Sequence, residues 1–377
     1  MLLMKSLTKT VTLSANSSWY LYNFRQSTLK ELILREYTVV CISPEDGHHL
    51  KLIEMGCQHC PINFSSNSKN PLLDLLIIYK FFKIYRKINP FMCFHFTVKN
   101  NIYGTLAAKL LNIPAVNNVS GLGTAFLSIS WSSIIVRLLY KVSQPLAHKV
   151  YCQNSEDFEY LIKYKLVPEQ NLSLLPGSGV DLKRFKPSSV DRNPNTLFTF
   201  LFAGRMLRDK GVIELVNAIS EINSVDQSCK LILCGFSDSD NVSAITKDEL
   251  QAFSSLPYID WIGPTDSIEE VLAEVDCVVL PSYREGMPKI LLEAGAMGLP
   301  SLASDVPGCK NIIQDGVNGL LFQPKQIASL KNAMGQMLNM SDKDIQSMGL
   351  NALNIVKENF DEEIVIKEFF KVLDERA

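Results

Sequence analysis

Along its whole length this chain alternates short, nearly unbroken apolar runs with stretches of helical periodicity, and few folds accept that pattern. An apolar run without polar alternation is buried on both faces. Burial on both faces is the condition of a strand in a parallel sheet covered by helices. In the first half such runs are "VTLSA", "TVVCIS", "FMCFHF", "AVNNV" and "KVYCQN", and amphipathic stretches such as "YNFRQSTLKELILRE" and "NIYGTLAAKLL" lie between them. The pattern restarts with "TLFTFLFAGR", "KLILCGF", "YIDWIG", "DCVVLPS" and "PSLASD". Two α/β domains of doubly wound, Rossmann-like type are expected, each binding its ligand at the carboxyl ends of its strands. Between them "LPGSGVDLKRFKPSSVDRNPN" concentrates Pro, Gly, Ser and Asn, which places a linker at about 176–195. The expected boundaries are 1–178 for the first domain and 190–360 for the second, with 361–377 as a terminal helix.

At 377 residues, with 47% hydrophobic and 20% charged residues, the chain has enough apolar content for two cores. Its net charge of -2 conceals an asymmetry: residues 1–180 carry +8, the remainder -10. A basic first half suits an anionic surface such as phospholipid headgroups or an acceptor diphosphate. No nucleic-acid reader motif accompanies the charge, so nucleic acid is not expected as a partner. Nine cysteines, odd in number and irregularly spaced, fit a reducing compartment. Cys57 and Cys60 have the spacing of half a redox or zinc site, but no second pair follows, and the segment reads as a structural strand entering a loop. The opening "MLLMKSLTKTVTLSAN" has lysines where a signal peptide needs its apolar core. No apolar run reaches the roughly 18 residues a membrane span requires. A protein without a crossing segment, soluble or lying on a membrane, is the expectation. Residues 71–88, "PLLDLLIIYKFFKIYRKI", gather Leu72, Leu75, Leu76, Tyr79 and Phe82 on one side, with Lys80, Lys83, Arg86 and Lys87 toward another. That segment reads equally as a membrane-surface helix and as a sheet-packed helix with a solvated basic edge.

The chemistry concentrates in "REGMPKILLEAGAMGLP", where Glu285 and Glu293 stand with seven residues between them around a helix start. Carboxylates accept hydrogen bonds from paired hydroxyls, and backbone N–H groups at a helix start cradle phosphate. A nucleotide-sugar, with hydroxyls at both ends and a diphosphate between, matches one glutamate for each end. Gly286 and Met287 would expose N–H groups, and Pro288 suits the first helical position. Cations for the diphosphate come from "FAGRMLRDKG", in which Arg205 follows an apolar strand and Lys210 precedes a helix.

With these residues in place, the chain resembles glycosyltransferase family 4, retaining enzymes of the GT-B fold in which two Rossmann-like domains face a central cleft. "GRMLRDKG" and "PSYREGMPKILLEAGAMGLPSLASDVPGCKNIIQDGVNGLLF" are similar to the family's donor-binding motifs. "SWYLYNFRQSTLKEL", "HFTVKNNIYGTLAAKLLNIPAVNNVSGLGTAF", "CQNSEDFEYLI" and "LLPGSGVDLKRFKP" resemble the branch that builds bacterial surface polysaccharides. The resemblance implies that Arg205 and Lys210 neutralise the departing diphosphate, that Glu293 holds the ribose, and that Glu285 faces the transferred sugar beside the Gly286–Pro288 backbone. His95 matches an active-site histidine position, implying contact with the donor sugar; a core or strand-end histidine is the competing reading. Gly121 and Gly123 in "SGLG" suit close backbone approach to a substrate in the cleft, or a plain turn. Where family members often carry glycines after their first strand, this chain reads "SANSSWYLYN". Asn16, Ser17 and Ser18 could supply donors there, with Trp19 or Tyr22 lining the acceptor side, or the stretch is an ordinary polar turn.

The resemblance further implies a nucleotide-sugar donor, taken as UDP-linked, and a polyprenyl-diphosphate-linked saccharide as acceptor. An N-acetylhexosamine is the first choice of transferred sugar. Transfer with retained anomeric configuration is expected, in the cytoplasm at the inner face of a bacterial plasma membrane. "SDSD" at 237–240 contains an Asp-x-Asp triplet of the kind that holds a divalent cation in transferases of another fold. Arg205 and Lys210 already supply positive charge, so no metal and no other cofactor is expected. Two other functions remain open at this point: a nucleotide-sugar epimerase of GT-B architecture, which would need no lipid acceptor, and a non-catalytic sugar-nucleotide-binding module.

Overall fold

The computed structural model describes residues 9–63, 71–122, 131–187, 196–225, 228–237 and 241–376. The chain divides into two compact units, Met1–Ser178 with Glu363–Ala377, and Gly179–Glu362.

The first unit is built on a parallel sheet of β1 (Thr10–Ser14), β2 (Thr38–Ser43), β3 (Gln58–Pro61), β4 (Met92–Phe96), β5 (Ala115–Val119), β6 (Lys149–Cys152) and β7 (Leu172–Leu174). Their spatial order is β3-β2-β1-β4-β5-β6-β7. Helices α1 (Ser18–Leu34) and α2 (His48–Glu54) cover one face, whose core includes Leu13, Leu29, Phe94 and Phe96. Helices α3 (Pro71–Ile88), α4 (Thr105–Leu110), α5 (Trp131–Ser143) and α6 (Ser155–Lys163) cover the other, over Phe81, Ala107, Tyr140 and Leu161. The chain leaves β1 in one lateral direction and returns past it to β4 in the other. That reversal separates the two helical layers and opens a crevice beyond the carboxyl ends of β1 and β4.

The second unit repeats the logic with β8 (Phe198–Ala203), β9 (Cys229–Cys234), β10 (Ile259–Gly263), β11 (Cys277–Leu280), β12 (Ser301–Ser304) and β13 (Gly319–Phe322), ordered β10-β9-β8-β11-β12-β13. Helices α7 (Val212–Asn223), α8 (Lys247–Ser254), α9 (Ile268–Leu272), α10 (Lys289–Ala296), α11 (Ile327–Leu338) and α12 (Asp342–Asn359) surround it. Here the order reverses between β8 and β11, which pair directly through Cys277 with Phe200 and Val278 with Leu201. The loops after these two strands therefore emerge side by side. The last helix, α13 (Glu362–Asp374), packs on the first unit, with Phe369 stacked on Phe94 at 4.8 Å between ring centroids.

The apolar runs and the strands coincide closely, TVVCIS with β2 and AVNNV with β5. Two strands escape the sequence pattern. β7 is three residues long, and β13 reads as part of a motif loop because two glycines and an asparagine precede its apolar residues. On α3 the structure corrects the expected segregation of charge. The buried side is Ile77, Phe81 and Tyr85, and Phe82 is half-buried, so Lys80, Lys83, Arg86 and Lys87 share the outward side with Leu75, Leu76 and Tyr79.

Candidate active site

In the second unit the loop after β8 and the loop after β11 are bound to each other by backbone contacts. The Tyr283 N–H donates to the Asp209 carbonyl at 2.9 Å. Gly211 adopts φ 73°, and a Cβ there would press into the Pro281 carbonyl oxygen. Glycine is needed on both counts, because a side chain would meet left-handed strain and a backbone atom at once. The close approach fixes Lys210, one residue earlier, against the second loop: its Nζ donates to Glu285 Oε1 at 2.5 Å. Both side chains are mostly buried, at 22% and 12% exposure, so the pair is shielded from the screening that weakens surface ion pairs.

The loop from Glu285 to Pro288 is braced from a third side. Gly308, at φ 83° in the turn after β12, lies so close that a Cβ would strike the Gly286 and Glu285 carbonyl oxygens. Beside it Cys309 is fully buried, and its thiol is pushed well above the usual range, first by burial and then by the Glu285 carboxylate, with Lys210 opposing. Tyr283 is clamped as well: its hydroxyl donates to Glu214 Oε1 at 2.5 Å on the first turn of α7, and Lys325 lies over its ring at 4.7 Å. Burial and the adjacent Glu214 carboxylate push the phenol up to about 12, so it stays protonated and serves as the donor. Neither Cys309 nor the Tyr283–Glu214 pair stands out in the sequence. Their signal is tertiary, a clamp between residues 69 positions apart.

Other expected donor residues take these places. Arg205 is exposed on the β8 loop, and its guanidinium has no hydrogen-bond or ion-pair partner among the described residues. Glu293 is buried on α10, with Lys289 Nζ 3.3 Å from its Oε1, one helical turn apart. Met287 packs its side chain against the second core. Pro288 is the N-cap of α10, with φ -74° and ψ 111°, and Lys289 is the first helical residue; the expected first helical position is thus one residue too early. A carboxylate held by a lysine, a second exposed cation and a helix start converge at the reversal point of this sheet. Such an arrangement can accept hydroxyl donors and neutralise a diphosphate.

In the first unit His95 takes the place of a core histidine, enclosed by the protein's own side chains. Its ring has no exposed surface, and both nitrogens are engaged: Nε2 with the Tyr85 hydroxyl at 2.8 Å, Nδ1 with Asn117 Oδ1 at 2.9 Å. Because the Asn117 oxygen can only accept, the proton sits on Nδ1 and Tyr85 donates to Nε2. Burial lowers the imidazole to about 4, so it is neutral. Gly104 closes over it, and a Cβ there would lie 2.6 Å from Nε2. His95 is a core histidine that anchors the turn beyond β4. That turn carries the strain: Thr97 sits at φ 71°, an outlier for a β-branched residue, and Asn100–Gly104 form a π-helical turn. Both features lie at the first sheet's reversal point, and nothing in the sequence pattern announces them.

The loop after β1 is self-capped. Ser17 Oγ accepts from the Tyr20 N–H at 3.1 Å, Asp46 Oδ2 accepts from the Trp19 N–H at 3.0 Å, and Ser18 donates to the Pro44 carbonyl at 2.6 Å. Of the expected donors the Ser18 hydroxyl is therefore used within the protein and Ser17 caps the helix as an acceptor, while Asn16 and Trp19 remain exposed. Gly121 adopts φ 134°, and the following Leu122 N–H donates to Asp157 Oδ2 at 3.1 Å, tying the turn to the start of α6. Gly123, Asp238 and Asp240 lie outside the described residues. Cys57 lies beside Cys41 within hydrogen-bonding reach. No group of three or more metal-ligating side chains occurs among the described residues.

The glycosyl transferase 4-like family model matches residues 10–154 and the glycosyl transferases group 1 model residues 198–340, one for each unit. The N,N'-diacetylbacillosaminyl-diphospho-undecaprenol alpha-1,3-N-acetylgalactosaminyltransferase of Campylobacter jejuni is 28% identical over 94% of this chain and 95% of its own length. An Escherichia coli UDP-Gal:alpha-D-GlcNAc-diphosphoundecaprenol alpha-1,3-galactosyltransferase is 28% identical over 75% of this chain and 77% of its own. In fold, the chain matches Anabaena HepE, solved in complex with UDP-glucose, with a TM-score of 0.76 and 16% identity over 97% of this chain and 99% of that one. Two parallel-sheet domains of GT-B type, each matched by its own family model and the second carrying the carboxylate and cation loops, place this chain among the family 4 glycosyltransferases.

Proposed function

We propose that this glycosyltransferase moves a sugar from a UDP-sugar to a polyprenyl-diphosphate-linked saccharide, with the anomeric configuration retained. The observation that carries the reading is the assembly at the β8/β11 reversal point: Lys210 on Glu285 at 2.5 Å, with Arg205 exposed on the same β8 loop as Lys210. Lys210 and Arg205 hold the diphosphate, Glu293 the ribose hydroxyls, and Glu285 a hydroxyl of the transferred sugar. The acceptor hydroxyl attacks the face from which the diphosphate departs. The protein's contribution is then electrostatic, stabilising charge on the leaving group while holding both reactants in register. Lys210 and Arg205 fill the role a metal has elsewhere, so the reaction proceeds without one.

The acceptor class is supported by the two relatives, whose names specify undecaprenol-diphosphate saccharides, and by the +8 charge of residues 1–180. An N-acetylhexosamine is the sugar we favour, in keeping with the relative matched over 94% of this chain. Among the described residues no helix is long and apolar enough to cross a membrane, and the reading has the enzyme lying on the inner face of the bacterial plasma membrane. The test is mass spectrometry of a reaction holding pooled nucleotide-sugars and membrane lipid extract, with and without the protein. A lipid-linked product heavier by one sugar is expected. Donor consumption without such a product would refute the transfer and favour epimerisation or hydrolysis.

A further inference from the structure

Helix α5 is apolar on its inward and on its outward side, with Arg137 and Lys141 along one edge between them, although it lies at the surface. Its inward side supplies Tyr140 to the core, with Val136 and Leu139 packed against it. Its outward side is apolar too: Ile134, Ile135, Leu138 and Val142 are 44 to 61% exposed. At 100° per residue these four form one strip roughly 100° wide, as broad as the stripe that normally faces a core. Lys141 is exposed at its edge, and α5 contains no acidic residue. Singly exposed apolar side chains are ordinary, whereas a continuous strip calls for a cover.

A second strip lies on the same face of the unit. Leu75, Leu76 and Tyr79, 53 to 62% exposed, occupy the early turns of α3, and Lys80, Lys83, Arg86 and Lys87 follow on the same outward side. The acidic residue of α3, Asp74, is paired with Lys99 at 3.5 Å. Both helices pack on one apolar cluster and both touch the turn Asn100–Gly104. Apolar side chains bordered by cations match a bilayer with anionic headgroups. A second copy of this chain fits less well, because a two-fold contact would bring the same cations face to face.

We propose that the α5 strip inserts shallowly into an anionic bilayer surface while Lys141 and the α3 cations engage the headgroup phosphates. The proposal gives a place to the membrane location in the function reading and rests on it for its purpose. The assay is co-sedimentation of the full chain with vesicles of phosphatidylcholine, alone or mixed with phosphatidylglycerol. Wild type should favour the mixed vesicles by at least about tenfold, since each basic side chain near an anionic surface contributes about fivefold. Leu138→Ser with Val142→Ser should weaken binding to both vesicle types, by roughly tenfold or more. Lys83→Glu with Lys87→Glu should abolish the preference for the anionic lipid. UDP binding and thermal unfolding serve as controls and should stay unchanged in all variants. Vesicle binding indifferent to these substitutions would overturn the proposal. So would a wild-type dimer that the α5 variant dissociates, which would make a second copy the cover. If vesicles are bound as described but no lipid-linked product forms, the function reading fails and the membrane-binding surface stands. Transfer to a detergent-solubilised acceptor without any vesicle binding would instead overturn the membrane-binding surface and leave the function reading standing.

Discussion

Lys210→Ala tests the donor site most directly. In the free enzyme Lys210 is held by Glu285 at 2.5 Å, and both side chains are largely buried. An arriving diphosphate gains a charge-assisted hydrogen bond from this ammonium, worth about 1.5–3 kcal/mol. Its removal should raise the Kd for UDP about 10- to 150-fold. The structure adds a second consequence. Without Lys210, Glu285 is left as an uncompensated carboxylate close to where Lys210 would hold the diphosphate, and like charges in a partly buried site repel. Adding Glu285→Gln to Lys210→Ala should therefore restore part of the lost UDP affinity, so the double variant binds tighter than Lys210→Ala alone. Glu285→Gln by itself should leave UDP binding intact or improve it while turnover falls. Isothermal titration with UDP gives the affinities, and product formation gives turnover. Unchanged affinity in Lys210→Ala, or a double variant weaker than either single one, would refute the role assigned to this pair.

Three further outcomes follow from the geometry. His95 is depressed from 6.5 to about 4 by burial, so the unfolded chain binds more protons between those values. Its contribution is complete above about pH 6.5 and is lost as pH falls toward 4, the loss at pH 5 being on the order of 2 kcal/mol. Hydrogen exchange of β4, corrected for intrinsic rates, should show protection falling over that window, and flat protection would contradict the burial argument. Gly211→Ala meets a φ of 73° and the Pro281 carbonyl together, and should lower the unfolding temperature and weaken UDP binding by displacing Lys210. A variant equal to wild type in both would show the loop contact to be dispensable. Transfer activity should survive dialysis against EDTA, and loss restored by a divalent cation would show that Arg205 and Lys210 do not suffice.

How much of the site is legible in the sequence depends on whether its parts are local. Glu285, Glu293 and the helix start between them are neighbours in sequence, and a carboxylate pattern around that start is visible there. Arg205 and Lys210 are legible because a strand-ending apolar run precedes them. His95 stands at a motif position, but a motif does not report burial. Tyr85, Asn117 and Gly104 come from three other elements and enclose the ring. Likewise the donors expected at Ser18 are occupied by Pro44, a partner 26 residues away.

The sequence alone determined the class of this protein: two rounds of fully apolar runs alternating with amphipathic stretches leave parallel sheets covered by helices as the way to bury them. It also placed the charges, a basic first half and a carboxylate-rich helix start in the second. Strand order decided the rest. Only when β11 lies against β8 do the loops carrying Lys210 and Glu285 leave the sheet together, 75 residues apart in the chain and 2.5 Å apart in space. Whether a side chain faces core, ligand or solvent was decided in the same way, because burial belongs to the packing of distant segments. That is why His95 turned inward, and why α5 kept a second apolar face toward the outside.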